Sequence, residues 1–272
     1  MAKTYVISGG NSGIGLEAGR QLARDGHKVI LLGRDPKKGE AAVASIGSNA
    51  EFIASDLSTH AGTRDCATRI AGSNPVIDGL ILGAGVLTTS GDLRTSDGLH
   101  AIFSTNYLSR YHLTQRLLPN LKASASPTVV LLVAGVSVES RINTAHFTPN
   151  APWPGMSGLS GVQIANYHYV KHLAAKEPAV KCAVCNVGLV KTEIMRAMPA
   201  VMRFGFAVFG PLITIPVEKA AENPVWLSTH SEWKSGTYFP KPGHRDTTIN
   251  LDAALPNETE QVVKLSSELT QA

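Results

Sequence analysis

Six short runs of β-branched and aliphatic residues alternate with segments that have helical patterns. The runs are TYVIS, KVILL, EFIAS, IDGLILG, PTVVLLVA and KCAVCNV, beginning at residues 4, 28, 51, 77, 127 and 181. Strands that are joined by crossover helices pair in parallel, because each crossover returns the chain to the same end of the sheet. The alternation therefore predicts a doubly wound α/β fold, with a parallel sheet covered by helices on both faces.

The rest of the chain is consistent with one domain spanning residues 1–272. No internal repeat and no Gly/Ser-rich or Pro-rich linker divides it, and single α/β domains reach this size. The 25 Lys and Arg residues include no run of five, which argues against a nucleic-acid partner. The start of the chain has no apolar segment before the first strand, so a cytoplasmic location is expected. The most apolar stretch, 198–217, is interrupted by Arg203, Pro211 and Pro216, so no transmembrane segment is predicted.

The first strand leads into a glycine-rich turn and then a helix, in VISGGNSGIGLEAGRQLARDG at residues 6–26. Gly9, Gly13 and Gly15 would let the backbone approach a pyrophosphate, and the free N–H groups at the helix N-terminus favour its negative charge. The alternative is a tight turn that only packs the strand against the helix. Because the turn lies between a strand and a helix, the pattern favours dinucleotide binding.

The end of the second strand indicates which dinucleotide is bound. An enzyme that prefers NAD(H) places an acidic residue there, on the ribose hydroxyls, whereas this chain has Gly33 and Arg34. A guanidinium is suited to a 2′-phosphate, so NADP(H) is the predicted cofactor. Two alternatives remain open: Arg34 lies only in a solvated loop, or the neighbouring Asp35 meets the ribose.

Several of these segments, in the same order, resemble the short-chain dehydrogenase/reductase family, and the last ones its retinol-dehydrogenase-like subgroup. The segments are SGGNSGIG (8–15), SDL (55–57), LGAGVL (82–87), STNYLSRYHLTQRLLPNL (104–121), NVGLVKTEI (186–194), VEKAAENPVWLS (217–228) and SGTYF (235–239). The resemblance implies a Rossmann-type sheet of about seven strands and a set of cofactor-binding residues. These are Gly9, Asn11, Ser12, Gly13, Ile14, Gly15, Arg34, Asp56, Leu57, Gly83, Ala84, Gly85, Asn106, Gly188, Val190 and Thr192.

Tyr167 and Lys171 have the spacing of the catalytic pair of that family, but their position does not suit the role. A crossover helix that spans a sheet of about 20 Å needs about 13 residues. Only six residues separate Lys171 from Pro178, enough for about 9 Å of helix. We therefore expect the helix to begin near Ser157 or Ser160, with Tyr167 about 15 Å along it and buried.

The family interval, counted back from Val187 and Gly188, places the Tyr and Lys positions at Ser157 and Gly161. Neither residue has the acidity or the charge for the usual proton transfer. The Ser that normally follows the fifth strand is also displaced, to Ser137, because Ala134 and Gly135 occupy the corresponding positions. The catalytic candidates are thus Ser137 and Ser157.

Three functions are compatible with this combination of motifs. The first is an NADP(H)-dependent oxidoreductase for a bulky hydrophobic carbonyl or imine substrate, with a proton source such as Glu139 or His146 from a long insertion at 135–156. The second is a cyclase or isomerase that keeps NADP(H) as a structural group, and the third is a non-catalytic sensor or partner protein. The apolar segment 193–216 is the expected substrate lid, with an oligomer interface or a peripheral membrane contact as alternatives. A homo-oligomer, dimer or tetramer, is expected.

No metal site is predicted. Cys182 and Cys185 spell C-x-x-C, but they lie on a strand with an odd offset, which points the side chains to opposite faces. His168 and His172 are one helical turn apart without a third ligand, and a solvated helix face is the expected location for both.

Overall fold

The sheet has the predicted topology. A computed structural model describes residues 2–88, 93–136, 139–188, 190, 214–249 and 256–272. Its sheet has seven strands in the order β3-β2-β1-β4-β5-β6-β7, and each neighbouring pair is parallel. The predicted doubly wound class is confirmed. The strands are β1 Thr4–Ser8, β2 Lys28–Gly33, β3 Ala50–Ala54, β4 Gly79–Leu82, β5 Thr128–Val133, β6 Lys181–Asn186 and β7 Thr237–Phe239.

Helices connect the strands and cover both faces of the sheet. A π-helical turn joins α4 to α5, and a short 3₁₀ turn at Thr144–Phe147 lies in the insertion after β5. The helices are α1 Gly13–Arg24, α2 Pro36–Ile46, α3 His60–Ser73, α4 Ala101–Phe103, α5 Ser109–Lys122, α6 Met156–Lys176, α7 Val217–Thr229 and α8 Pro256–Thr270.

The alternation of side chains along each strand divides the core in two. In β1, Val6 packs with the helices α3, α5 and α6, whereas Ile7 packs on the opposite face with α1, α2 and α7. Both side chains are fully buried, as is expected of parallel strands that are covered on both sides. This explains why the strands appear in the sequence as continuous apolar runs.

The strand order changes direction beside β1, since β2 lies on one side of it and β4 on the other. In open α/β sheets the carboxyl ends of the strands form a crevice at such a switch point, and ligands bind there. The glycine-rich turn after β1 and the segment after β4 meet at this crevice. Within the described ranges, no helix has both the length and the apolar composition to cross a bilayer. The stretch 198–217 lies mostly outside those ranges.

Candidate functional site

The glycine-rich turn touches the segment after β4 closely. Gly9 has a φ of +73°, and a Cβ built on it would lie 2.9 Å from the Ala84 nitrogen. The Ser8 hydroxyl accepts a hydrogen bond from the same nitrogen at 3.1 Å. A Cβ on Gly15 would lie 2.4 Å from the Gly9 carbonyl oxygen, so this position also requires glycine. Side chains at positions 9 and 15 would therefore clash with the neighbouring backbone.

The N-terminus of α1 faces this turn without a side-chain cap. Ser12 is the N-cap residue, with extended backbone geometry, and its hydroxyl makes no capping hydrogen bond to the helix. The first N–H groups of a helix need acceptors, and the helix dipole favours an anion there. An incoming phosphate can supply the missing acceptors, which is the arrangement that the sequence predicted.

At the end of β2, the two residues that left the cofactor preference open have different surroundings. Arg34 is exposed. Asp35 caps α2, since its carboxylate accepts a hydrogen bond from the Lys38 backbone nitrogen at 3.2 Å. The Asn11 side chain fills the space over Gly33, where a Cβ would lie 2.7 Å from its amide group. The acidic group is thus engaged by its own helix, while the guanidinium extends into solvent.

Asp56 and Leu57, two of the predicted cofactor-binding residues, follow β3. Leu57 is buried, whereas Asp56 is exposed and accepts hydrogen bonds from the backbone nitrogen and the hydroxyl of Ser58, at 3.0 and 2.7 Å. The second carboxylate oxygen has no such local bond in the described structure. That Asp56 and Leu57 contact the cofactor stays a prediction.

Asn106 lies in the π-helical turn and fixes the segment after β4. Its side-chain oxygen accepts from the Val86 nitrogen at 2.7 Å, and its amide donates to the Val86 oxygen at 2.9 Å. The Asn106 carbonyl accepts a hydrogen bond from Asn166 of α6 at 3.2 Å. This asparagine therefore holds the predicted cofactor segment 83–85 against the helices α5 and α6.

Arg110, which was not predicted from the sequence, lies one turn after Asn106. Its guanidinium donates to the Leu132 oxygen at 2.6 Å, to the Asn166 side-chain oxygen at 3.0 Å and to the Ala84 oxygen at 3.1 Å. Burial lowers the pKa of Arg110 to about 9, and Nε has no hydrogen-bond partner among the described residues. Its position four residues after Asn106, on the same face of the helix, is the feature of the sequence that could have indicated this role.

The insertion after β5 fills the space beside the start of α6. Ser157 is exposed there, and its hydroxyl donates to the Pro154 oxygen at 3.0 Å. A Cβ on Gly161 would lie 3.2 Å from the Phe147 ring and 3.4 Å from the Arg141 oxygen. A long basic side chain at position 161 would therefore displace the insertion.

Tyr167 and Lys171 lie farther along α6, which begins at Met156 as the length argument expected. Tyr167 is only 2% exposed and belongs to the core. The Lys171 side chain passes 3.7 Å from the position of a Cβ on Gly236, the residue just before β7. Because parallel strands begin at the edge opposite the cofactor crevice, Lys171 lies near that opposite edge. That Tyr167 and Lys171 are not the catalytic pair stays a prediction.

The Asn186 side chain joins the carboxyl ends of β6 and β7. Asn186 accepts from the Gly188 nitrogen at 2.9 Å and donates to the Pro240 oxygen at 2.9 Å. Gly188 has a φ of +69°, and Val190 pairs with Ile215 in an isolated bridge. These contacts form the edge on which Gly188 and Val190 were predicted to bind the cofactor. The predicted residues Ser137 and Thr192, and most of the lid 193–216, lie outside the described residues.

The interpretation of the histidine pair was wrong for His168. This side chain is buried, where Nδ1 lies 2.6 Å from the Thr259 hydroxyl and Nε2 lies 3.5 Å from the Glu258 carboxylate, both on α8. Burial lowers the pKa of His168 to about 4, and this outweighs the nearby carboxylate. Helix periodicity could not show that α8 packs on this face. Cys182 and Cys185 are buried on opposite faces as predicted, and no group of three potential ligands for a metal occurs in the described ranges.

The chain is similar in sequence to proteins of one known family. A family model for short chain dehydrogenases matches residues 3–200. Retinol dehydrogenase 13 from Homo sapiens is 34% identical over 253 residues, covering 87% of this chain and 76% of that protein. Dehydrogenase/reductase SDR family member 13 from Homo sapiens is 30% identical over 249 residues, and the match covers 87% of this chain but 65% of that relative's length.

A solved structure has the same fold. The 3-ketoacyl-(acyl-carrier-protein) reductase from Brucella melitensis, in complex with NADH, superposes with a TM-score of 0.68 at 20% identity. The superposition covers 90% of this chain and 98% of that one. At this level of identity the similarity concerns the fold, including the crevice at the carboxyl ends of β1 and β4.

Proposed function

The chain belongs to the short-chain dehydrogenase family, and on that premise we propose that it is an NADP(H)-dependent oxidoreductase. The proposed substrate is a bulky hydrophobic carbonyl or imine compound, and the proposed proton transfer differs from the usual arrangement of the family. The observation that carries the proposal is the glycine cradle at the β1–β4 crevice, which excludes side chains but suits a dinucleotide.

The residues at the crevice fit such a cofactor. The close approach of Gly9 to Ala84 and the uncapped N-terminus at Ser12 support a pyrophosphate site. When bound, the reduced nicotinamide would supply a hydride. The described residues that we propose to line the cofactor site are Gly9, Asn11, Ser12, Gly13, Ile14, Gly15, Arg34, Asp56, Leu57, Gly83, Ala84, Gly85, Asn106, Gly188 and Val190.

The preference for NADP(H) rests on the division of roles between Arg34 and Asp35. Asp35 is held as the cap of α2, so its carboxylate has a partner that competes with a ribose. Arg34 is exposed next to it and can bind a 2′-phosphate with charge-assisted hydrogen bonds. Hydrogen bonds to charged groups contribute about 1.5–3 kcal/mol, which corresponds to a factor of about 10 to 100 in Kd.

An unusual proton transfer is supported by the start of α6. Position 161 is a glycine and has no basic side chain, and the insertion packs against the place where one would begin. The Ser157 hydroxyl is turned to the Pro154 carbonyl. A serine hydroxyl is also a much weaker acid than a phenol. The family's usual acid and its charged neighbour are therefore not supplied by these two positions.

A bulky apolar substrate is supported by exposed side chains in the loops at the carboxyl edge. Leu93, in the segment after β4, is 46% exposed, and Met156, at the start of α6, is 75% exposed. Large exposed apolar side chains beside a binding crevice favour an apolar ligand, because the ligand removes their surface from water. The lid 193–216 remains part of this proposal on its composition alone.

The proposal is tested by measuring NADPH and NADH binding through the enhancement of cofactor fluorescence, followed by NADPH oxidation with a panel of bulky ketones and imines. Arg34→Ser should raise the Kd of NADPH by about 10- to 100-fold and leave that of NADH nearly unchanged. Lys37→Ser, which removes an exposed cation from the first turn of α2, is the matched control. Equal affinity of the wild type for both cofactors would refute the NADP(H) preference, and absence of NADPH oxidation across the panel would refute the reductase.

The filled space beside Gly161 also supports a second candidate, a non-redox enzyme of this family that keeps NADP(H) as a structural group. Conversion of a substrate by the NADPH-loaded protein, without any change in the NADPH concentration, would favour this candidate. A homo-oligomer also stays a proposal, and sedimentation of the cofactor-loaded protein measures it directly.

A further inference from the structure

The phenols of the chain differ in where their hydroxyl groups lie. Of the six tyrosines, four have hydroxyls that hydrogen-bond to residues on helices: Tyr5 to Ser228, Tyr107 to Ser266, Tyr111 to Ser267 and Tyr169 to Gln115. Tyr167 lies in the interior of α6. Tyr238, on β7, extends its hydroxyl to the loop that follows β5, where it accepts a hydrogen bond from the Val136 nitrogen at 3.1 Å.

This places the Tyr238 phenol at the edge where the cofactor crevice opens. The Asn186 side chain, at the end of β6, acts on the phenol from the neighbouring strand, and it is held in place by Gly188 and Pro240. The phenol oxygen accepts the hydrogen bond from the Val136 N–H. A hydroxyl that accepts through its oxygen still has its own proton to donate.

The described residues leave the position above Gly135 open. Gly135 immediately precedes Val136 and has a φ of +120°. Of the described residues, only Asn186 comes within 4.0 Å of the position that a Cβ on Gly135 would occupy. A substrate oxygen that entered above this glycine would approach the same hydrogen-bonded cluster.

Building on the proposed function, we propose that Tyr238 is the catalytic acid, and that it donates its phenolic proton to the substrate oxygen during reduction. A bound reduced nicotinamide would supply a hydride to the carbonyl carbon, and the π-electron pair of the C=O bond would move onto oxygen. The O–H bond of Tyr238 breaks, its proton bonds to that oxygen, and the electron pair stays on the phenolate. A proton from solvent water restores the phenol, and the steps reverse for alcohol oxidation.

The surroundings of Tyr238 are compatible with this step. Burial raises its pKa above the ordinary value, while the hydrogen bonds from Val136 and Asn186 act in the opposite direction because they stabilise the phenolate. The titratable group that acts on the phenol from β6 is the Cys185 thiol, whose pKa is raised to about 12 by burial, so it stays protonated. An alkoxide is a far stronger base than a phenolate, so the transfer remains favourable despite the raised pKa.

The experiment compares two phenol deletions in the full-length protein. Tyr238→Phe should lower kcat for NADPH-dependent reduction by about 100-fold or more, the usual contribution of a general acid. Its NADPH affinity should stay close to that of the wild type, and its thermal midpoint should fall by only a few degrees, because the Val136 N–H loses its acceptor. Tyr167→Phe removes the phenol that has the family spacing, and it should leave kcat nearly unchanged.

A second variant guards against a simple loss of folding in Tyr238→Phe. Site-specific 3-fluorotyrosine at position 238 is nearly isosteric and more acidic. The fluorine NMR shift reports the titration of this phenol directly, with and without cofactor. The rate of alcohol oxidation, which needs the phenolate, should rise with pH and shift to lower pH in the fluorinated protein by the same amount as the NMR titration.

The outcomes separate the two proposals. If the wild type reduces a substrate and Tyr238→Phe reacts at the same rate, the assignment of Tyr238 is wrong and the proposed function stands. Loss of activity in Tyr167→Phe alone would assign the acid to α6 instead and overturn the inference. If the wild type oxidises no NADPH with any substrate, the proposed function fails, and the inference fails with it.

Discussion

Replacing Arg110 by methionine tests whether a buried cation holds the cofactor crevice together. The guanidinium makes hydrogen bonds of 2.6–3.1 Å to the Leu132 oxygen, the Asn166 side chain and the Ala84 oxygen. Methionine has a similar length but no donor. The substitution therefore leaves buried acceptors without their partner, and each unsatisfied acceptor costs about 1–3 kcal/mol.

An opposing effect reduces this cost. Burial of the Arg110 charge has a desolvation cost, which is why the pKa of this residue is lowered to about 9. Its Nε also has no partner in the described structure. Removing Arg110 removes both of these costs. Apolar replacements of buried charges recover part of the lost stability when they fill the same volume. We expect a net loss of about 2–4 kcal/mol in the free energy of unfolding. For a chain of this length, that loss lowers Tm by about 4–7 °C.

The assay is urea unfolding followed by circular dichroism, together with NADPH titration of the folded protein. Arg116→Met is the matched control, because Arg116 is exposed on the same helix and donates to the His112 ring at 3.3 Å. Surface substitutions of this kind change stability by about 0.5 kcal/mol or less. The Arg110 variant should also bind NADPH more weakly, since Ala84 touches Gly9 in the cradle. Wild-type stability in Arg110→Met would refute the claim that this cation organises the crevice.

Three further predictions concern the cradle, the substrate edge and the response to acid. Gly9→Ala should abolish tight NADPH binding, because the added Cβ would clash with Ala84 in the segment after β4. Gly47→Ala is the control: its φ is also positive, but no atom lies within 4 Å of the added Cβ. That control should cost about 1–2 kcal/mol of strain and leave the NADPH Kd unchanged. Met156→Gln removes an apolar contact and should raise KM for bulky apolar substrates about fivefold, or about 1 kcal/mol, with little change for small substrates. An equal increase in the NADPH Kd would contradict a substrate-binding role for Met156. The pKa of His168 is about 4 in the folded chain, below its unfolded value, so the stability present above about pH 6.5 is lost as the pH falls towards 4. Urea unfolding should show that His168→Gln removes about 2 kcal/mol of the loss between about pH 7 and pH 5, and that His172→Gln, less buried, removes less.

The fold could be predicted because its evidence is local. The central strands are buried on both faces, so they appear as continuous apolar runs, and each helix has its own period. The start of α6 also followed from chain geometry, because the residues after Lys171 were too few to cross the sheet. The role of the glycines in the first turn could also be predicted, because the strand, the turn and the helix are consecutive in the chain.

The candidate site was harder to predict from the sequence, because its contacts join residues that are distant along the chain. Tyr238 bonds to Val136, 102 positions away, and Arg110 bonds to Asn166, 56 positions away. His168 shows the same limit, since α8 covers a helix face that its own periodicity could not identify as buried.

The amino-acid sequence by itself determined the parallel sheet, the order of its elements and the position of the glycine cradle, because hydrophobic period and backbone freedom act over a few neighbouring residues. Only the tertiary structure decided that Asp35 caps its own helix, that the insertion fills the space beside Gly161, and that the Tyr238 phenol reaches the end of β5. The physical reason is that close packing sets which distant side chains share one edge of the sheet, and the hydrogen bonds available there then assign a role to each.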